Sequence, residues 1–194
     1  MTHSLLVRLL AAAVIAASCL LAAGCAPLVV GAAVGGTALV ATDRRSVGAQ
    51  ADDEAIELKI ANVRSTRYGD RVHVNITSYD GVVLLTGEVP DAGVKQAMAE
   101  LARTTDRVRR VQDEMVVAPP SPLSERTNDT FITSKVKARF VEANRFAASH
   151  VKVVTERGVV YLMGLVNRAE ADEAARIAAS TSGVVRVVKV FEYI

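Results

Sequence analysis

The chain has 194 residues, of which 51% are apolar, and its formal net charge at pH 7 is only +2. It contains no Trp and only 4% aromatic residues, so it offers no platform for stacking bases, and no nucleic-acid partner is expected. The two cysteines, Cys19 and Cys25, lie near the N-terminus, which excludes a disulfide framework, a zinc–thiolate site or a catalytic thiol in the rest of the chain.

The N-terminal residues 1–24 have the plan of a secretory signal. One arginine, Arg8, precedes an apolar run from Leu9 to Ala23 that is shorter than the roughly 20 residues a bilayer span requires. The following Gly24-Cys25 resembles the end of the lipobox of bacterial lipoproteins, in which the cysteine is acylated and becomes the new N-terminus. Cys25 is therefore the predicted lipid anchor, with Cys19 as a rival and a plain signal peptide as the other alternative.

Residues 25–51 are predicted to form a lipidated, Gly/Ala-rich tether close to the bilayer. Several acyl chains on Cys25 would make this anchor effectively permanent, whereas one chain gives only marginal binding. The residue after the cysteine is Ala26, and in the lipoproteins that this segment resembles, an aspartate at that position retains the protein at the inner membrane. The resemblance therefore implies the outer membrane, with the protein facing the periplasm.

The first predicted module spans residues 52–117 and has the element order α-β-β-α-β. Asp52 and Asp53 are suited to cap a helix, and Asp80-Gly81 is a strong signal for a two-residue hairpin turn. Pro90-Asp91 begins a second helix, and Val108 to Val117 closes the module as a strand. A three-stranded mixed sheet with both helices on one face would bury the apolar stripes of these elements.

The second module, residues 129–194, repeats the first after a stiff Pro-rich linker at 118–128. Gly81 and Gly87 superpose on Gly158 and Gly164 at an offset of 77, and the same offset is predicted for the closing strand. The first helices match at an offset of 76, with Asn128 or Asp129 as the predicted cap of the second copy. The predicted fold class is therefore α+β, with two tandem modules.

The two modules differ in charge. Residues 52–117 contain 9 Lys and Arg against 12 Asp and Glu, a balance of −3, whereas residues 129–194 contain 10 against 7, a balance of +3. An anionic surface would therefore be met by the second module. Ordinary surface variation also explains a difference of this size.

The repeated pattern of a hairpin turning at Asp-Gly or Arg-Gly, a Gly six residues later, a helix and a closing Val-x-x-Val strand resembles the BON domain. Behind a lipobox and a Gly/Ala-rich leader, the two copies resemble the dual-BON outer-membrane lipoproteins. Residues 128–133 and 161–166 are the most specific parts of the match. The resemblance implies binding of an anionic phospholipid such as phosphatidylglycerol, support of outer-membrane integrity and a role at the division site.

The first helix of the second module is the predicted phospholipid-binding element. Phe131 lies about 100° around the helix from the core stripe, and Lys135 shares its face. An exposed aromatic ring could enter the headgroup layer while a cation meets phosphate. The predicted set is Phe131, Ile132, Lys135, Lys137 and Arg139. The alternative is that Phe131 flanks the core and the lysines form a solvated face. Some relatives carry Trp at this position, and Phe lacks the indole N–H suited to headgroups.

An enzyme is not expected, because no nucleophile motif, phosphate loop or metal-ligand spacing is present. His73 and His150 are predicted to be exposed residues near strand starts, and neither a cofactor nor a metal site is expected. The rival function is a protein-interaction scaffold that docks to outer-membrane assembly proteins and touches the membrane only through Cys25. In that case Arg109, Arg110 and the opposite charges of the modules would serve docking, between the modules or to a partner.

Overall fold

A computed structural model describes residues 43–194, so the predicted signal peptide, the anchor at Cys25 and most of the tether lie outside the described residues. The helices are α1 (Val47–Tyr68), α2 (Ala92–Arg103), α3 (Leu123–Ala143) and α4 (Arg168–Ala179). The strands are β1 (His73–Tyr79), β2 (Val82–Val89), β3 (Arg110–Asp113), β4 (Val116–Val117), β5 (Lys152–Glu156), β6 (Val159–Val166) and β7 (Arg186–Tyr193).

Each half of the described chain has the predicted α-β-β-α-β topology. The first module holds α1, β1 to β4 and α2; the second holds α3, β5 to β7 and α4. In each, two strands form an antiparallel hairpin, and the closing strand returns through a helix to pair in parallel with the second hairpin strand. Both helices of a module pack against one face of its sheet and share one apolar core. The predicted α+β fold class is confirmed.

The first helix of each module begins earlier than predicted, and the caps predicted for these two helices are wrong. Ser46 caps α1, and α3 begins after Pro122, so residues 123–128 of the predicted linker are helical. Asp53 and Asp129 lie inside these helices and are buried. Their carboxylates point at the hairpin turns, because two consecutive turn N–H groups would otherwise be buried without an acceptor.

The turn contacts are the same in both modules. Asp129 accepts hydrogen bonds from the backbone N–H groups of Arg157 at 2.7 Å and Gly158 at 2.8 Å. Asp53 accepts from Asp80 N at 2.7 Å and Gly81 N at 2.9 Å. Both residues of each turn have positive φ, as a two-residue hairpin with this twist requires. Each hairpin is therefore fixed to the first helix of its own module.

The repeat offset changes after the hairpin, which corrects the predicted offset of 77 for the closing strand. The hairpins match at 77, but Val82 pairs with Arg110 and Val159 pairs with Arg186, so the last strands match at 76. The first module holds one extra residue where Val89-Pro90-Asp91 leads into α2. The predicted closing strand at 108–117 is also divided, because the chain leaves the ladder between Asp113 and Val116.

The two modules pack together through the sheet faces that their helices leave uncovered. Tyr79, Val82 and Leu84 of the first module form one buried apolar cluster with residues of the second, which are Tyr161, Met163 and Val190. Every residue of β2 is buried as a result, since one face meets the helices and the other meets the second module. The two BON-like units therefore form one body.

Ion pairs across this interface use the opposite charges of the modules. Lys152 lies 3.0 Å from Glu57, and Arg157 lies 3.4 Å from Glu88, so each pair joins a base of the second module to an acid of the first. Arg109 pairs in the reverse direction with Glu192. The solvent-exposed pairs of Lys152 and Arg109 are individually weak, at about 0–1 kcal/mol, whereas Glu88 is buried; together the pairs specify how the two apolar faces align.

The segment before α1 contacts both modules. Arg44 donates to the carbonyl of Leu165 at 2.8 Å and forms a two-point ion pair with Glu170 at 2.7 and 2.9 Å. Arg45 donates to Asp53 at 2.7 Å, and its guanidinium lies 4.0 Å from the ring centroid of Tyr79. The described chain therefore starts at the seam between the modules.

The apolar clusters of both modules are formed by residues between Ile56 and Phe191. A fragment of residues 43–194 contains these cores complete and should fold without the preceding segment. No helix within this fragment combines the length and apolar character that crossing a bilayer requires.

Candidate functional site

An exposed apolar surface with a cation lies beside the start of α3. We call it the α3 surface, and its members are Phe131, Lys135, Ser182, Gly183 and Val185. The side chains of Phe131 and Val185 are among the most exposed apolar groups, at 61% and 78%. Lys135 holds the surface together, because its ammonium lies 4.9 Å from the Phe131 ring centroid and donates to the carbonyl of Ser182.

The structure brings Phe131 and Lys135 together, and it separates them from the other predicted site residues. Ile132 is only 1% exposed and belongs to the core of the second module, so its assignment as a lipid contact is wrong. Arg139 turns toward α4, donating to Thr181 Oγ1 at 3.1 Å and to the carbonyl of Ile177 at 3.4 Å. Lys137 is exposed about 120° around the helix from Phe131, on the other flank of α3.

The first module shows what this surface looks like when it is neutralised by acids. At the offset of 76, Phe131 corresponds to Ala55, and Lys135 corresponds to Lys59. Lys59 forms an ion pair with Asp106 at 3.0 Å, whereas the counterpart of Asp106 is Ser182. Lys135 has no carboxylate partner among residues 43–194, so its charge is available to an outside anion.

Two further positions follow the same trend. Arg107 of the first module pairs with Asp52, and the counterparts of this pair are Gly183 and Asn128. Arg109 pairs with Asp80, while its counterpart is the exposed Val185. Acid–base pairs of the first module are thus replaced by neutral and apolar groups in the second. Only a comparison of the two copies at the corrected offset reveals this difference.

A shallow hollow of about 490 Å³ adjoins the α3 surface. Its lining includes one cation, Arg157, two carboxylates, Glu125 and Asp129, and the exposed Val185. The equivalent hollow of the first module has about 130 Å³ and lies between Asp52, Arg107 and Arg109. The second module therefore has both the apolar surface and the adjacent space that a headgroup would need.

The two histidines are less exposed than predicted. The side chain of His73 is 14% exposed, and its Nδ1 lies 3.0 Å from Oε2 of Glu88. The side chain of His150 is 12% exposed and lies 3.9 Å from Glu170. His73 belongs to a polar cluster between the modules, since it also lies 3.8 Å from Glu156, whereas Glu170 is in the same module as His150.

Comparison with known proteins places both modules in one family. The family model described as the BON domain matches residues 52–119 and 128–194. The Outer membrane lipoprotein DolP of Haemophilus influenzae is 39% identical over 170 residues, covering 85% of this chain and 88% of that protein. The 21 kDa hemolysin of Actinobacillus pleuropneumoniae is 32% identical over 154 residues, covering 78% and 79%.

A third relative is the Osmotically-inducible protein Y of Escherichia coli, which is 30% identical over 155 residues, with coverage of 75% of this chain and 74% of that protein. The matched ranges coincide with the two packed modules and include the α3 surface. The chain belongs to the BON-domain family and carries two copies of the domain.

Proposed function

We propose that this protein is a periplasm-facing outer-membrane lipoprotein that binds anionic phospholipid through its second BON domain and helps to maintain the outer membrane. It acts as a binding protein and not as an enzyme. The observation that carries the proposal is the exposed Phe131 ring beside Lys135, a cation without a carboxylate partner among residues 43–194.

The α3 surface suits the boundary between headgroups and acyl chains. Burying an aromatic side chain stabilises binding by about 1.5–3 kcal/mol, and a basic residue near an anionic leaflet adds about 1 kcal/mol. These terms give only weak binding to a free bilayer. A protein already tethered to a membrane needs no more, because the tether converts the contact into an intramolecular one.

The relatives support the proposed location. A protein 39% identical to this chain is named an outer-membrane lipoprotein, and the lipobox-like segment ending at Cys25 supplies the attachment point in the sequence. Phosphatidylglycerol is the proposed ligand because its headgroup carries a negative charge. A role at the division site rests on the family resemblance alone.

The structure weakens one argument for the alternative function, a protein-interaction scaffold. Arg109, one of the two arginines assigned to docking, pairs with Glu192 of the second module and with Asp80 of its own. The opposite charges of the modules likewise meet each other across the seam. Docking to envelope assembly proteins would be favoured only if the fragment did not bind anionic vesicles.

The test is flotation of the 43–194 fragment with vesicles of phosphatidylcholine alone or mixed with phosphatidylglycerol. Phe131→Glu should lower binding to the mixed vesicles roughly tenfold or more, since it replaces the ring proposed to enter the leaflet with a charge that the leaflet repels. Ala55→Glu is the matched control, because it adds the same charge at the equivalent exposed position of the first module. Thermal midpoints of both variants check that folding is intact.

The lysine pair provides a second comparison. Lys135→Ala should weaken binding and its dependence on salt, whereas Lys59→Ala should leave both unchanged because Lys59 is paired with Asp106. If the wild-type fragment does not bind anionic vesicles, lipid binding is refuted and the scaffold function is favoured. Equal losses from Phe131→Glu and Ala55→Glu would refute the assignment to the second domain.

A further inference from the structure

A polar cluster at the seam between the modules has the composition of a metal site. Its members are His73 and Glu88, which face each other across the first hairpin, and Glu156 at the end of β5 in the second module. Glu88 is completely buried, and Glu156 is 5% exposed. An imidazole and two carboxylates are among the ligands that Zn²⁺ takes most often.

The spacing of the donor atoms fits a bound ion. Nδ1 of His73 lies 3.0 Å from Oε2 of Glu88 and 3.8 Å from Oε1 of Glu156, and the three donor atoms lie within 4.8 Å of one another. Ligands about 2.1 Å from a tetrahedral ion are about 3.4 Å apart. Both His73 distances differ from this value by about 0.4 Å, and side-chain shifts at His73 and the two carboxylates would place an ion between these atoms.

The carboxylates are oriented by a surrounding layer of donors, as metal ligands usually are. Asn75 Nδ2 and Thr86 Oγ1 donate to Oε2 of Glu156 at 2.8 and 3.2 Å, which leaves Oε1 directed toward His73. The backbone N–H of Ser121 donates to Oε2 of Glu88 at 3.1 Å. Oε1 of Glu156 lies beyond hydrogen-bond distance of Nδ1, so that contact is open to a cation.

The electrostatics of the cluster favour added positive charge. Glu88 and Glu156 are both buried, and the donor atoms of their carboxylates lie within 4.8 Å of each other. Arg157 compensates the charge of one carboxylate, that of Glu88, and a bound cation would compensate the other.

An ion can reach the cluster from outside. A cleft of about 360 Å³ between the modules is lined by His73, Asn75 and Glu156 on one side and by Thr130 and Thr133 of α3 on the other. It also has room for a water molecule as a fourth ligand. Three protein ligands with one open position is an arrangement that Zn²⁺ commonly adopts.

We propose that His73, Glu88 and Glu156 bind one divalent transition-metal ion, with Zn²⁺ as the best match, and that this ion fastens the two BON domains together. Binding forms bonds from the ion to Nδ1 of His73, Oε2 of Glu88 and Oε1 of Glu156. The proton on Nδ1 moves to Nε2 in the same step, carried by solvent, so that the ring binds the ion as a neutral imidazole. The ion joins two ligands of the first domain to one of the second.

The chain contains its own control. His150 occupies the position of His73 in the second domain, but the counterpart of Glu88 there is Leu165, and the counterpart of Glu156 is Tyr79. The equivalent place therefore has one histidine and a single carboxylate, that of Glu170, which already pairs with Arg44. His150→Gln is the matched control for His73→Gln, and Glu156→Gln removes one ligand while keeping the side-chain size.

The experiment is calorimetric titration of the 43–194 fragment with ZnCl₂, with MgCl₂ and CaCl₂ as comparison ions. The fragment has no cysteine, so no thiol competes. Wild type and His150→Gln should bind one Zn²⁺ with equal affinity and show the same rise in thermal midpoint. His73→Gln and Glu156→Gln should lose at least tenfold in affinity, as loss of a ligand predicts.

A spectroscopic measurement decides the case even if a variant does not fold. His73 and His150 are the only imidazoles of the fragment, so ¹⁵N spectra of the wild type distinguish them. Zn²⁺ should shift Nδ1 of His73 and leave His150 unchanged, and Co²⁺ should give visible absorption bands. No heat of binding, or a shift at His150 alone, would overturn the proposal and leave the cluster as a hydrogen-bonded contact between the domains.

Discussion

The role of the two buried aspartates at the hairpin turns makes a quantitative prediction. Asp129→Ala removes the acceptor of two backbone N–H groups, those of Arg157 and Gly158. Hydrogen bonds to a charged group contribute about 1.5–3 kcal/mol each, and a buried donor left without a partner costs about 1–3 kcal/mol. We therefore expect the free energy of unfolding to fall by roughly 3–5 kcal/mol, allowing for incomplete additivity.

Asp53→Ala should cost more, because Asp53 has two further partners. Besides the turn N–H groups, it accepts from Ser78 Oγ at 2.6 Å and from Arg45 Nη1 at 2.7 Å. Loss of these contacts should add about 1–3 kcal/mol. The ranking of the two variants therefore follows from counting hydrogen bonds at equivalent positions.

The assay is urea unfolding of the 43–194 fragment, supported by thermal midpoints. A loss of 3–5 kcal/mol should lower the midpoint by roughly 6–20 °C in a protein of this size. Glu142→Ala is the control on the same helix as Asp129, because Glu142 is exposed, and it should stay within about 0.5 kcal/mol of wild type. If Asp129→Ala is as stable as this control, the turn N–H groups are not held by Asp129 and the reasoning fails.

Three further substitutions test the structure, two through packing and one through the ionisation of Asp53. Gly87→Ala should prevent stable folding, since its Cβ would lie 2.0 Å from the carbonyl oxygen of His73 at a φ of +105°; a normal thermal midpoint would contradict this. Leu84→Ala should cost about 2–5 kcal/mol in urea, and an unchanged stability would mean that the domains do not pack there. Burial would raise the pKa of Asp53, but hydrogen bonds from Ser78, Gly81 and Arg45 outweigh burial and lower this pKa below its ordinary value. Ionised Asp53 therefore stabilises the fold at neutral pH, and this contribution is lost as pH falls through the pKa of the folded state. The stability difference between wild type and Asp53→Asn should therefore shrink between pH 7 and pH 3, and a constant difference would be evidence against an ionised Asp53.

The hairpins and the second helix of each domain were predictable because local chemistry specifies them. Asp80-Gly81 determines the turn, and α2 begins where Pro90-Asp91 predicted a helix, with Asp91 as its cap. The starts of α1 and α3 were not, because an acidic residue before an apolar stripe is typical of a cap. The signal that could have corrected this is the recurrence of aspartate at the same place in both copies, each time beside a turn with two N–H groups to satisfy.

The cluster of His73, Glu88 and Glu156 shows which contacts can be predicted from the sequence and which cannot. His73 and Glu88 each lie seven residues from the turn Asp80-Gly81, so the hairpin register alone places them opposite each other. Glu156 joins them only when the two sheets pack, and that packing depends on apolar faces whose alignment no local pattern specifies. Phe131 and Lys135 were predictable from helical periodicity, whereas the burial of Ile132 follows from the same stripe and should have excluded it from the site.

The arginine pair at the beginning of the described chain has a mechanical consequence. Arg44 bonds to the second domain and Arg45 to the first, only one residue apart. A pull applied to the backbone ahead of Arg44 is therefore divided between both domains instead of acting on α1 alone. The force is therefore applied where the two domains meet, and both domains bear it together.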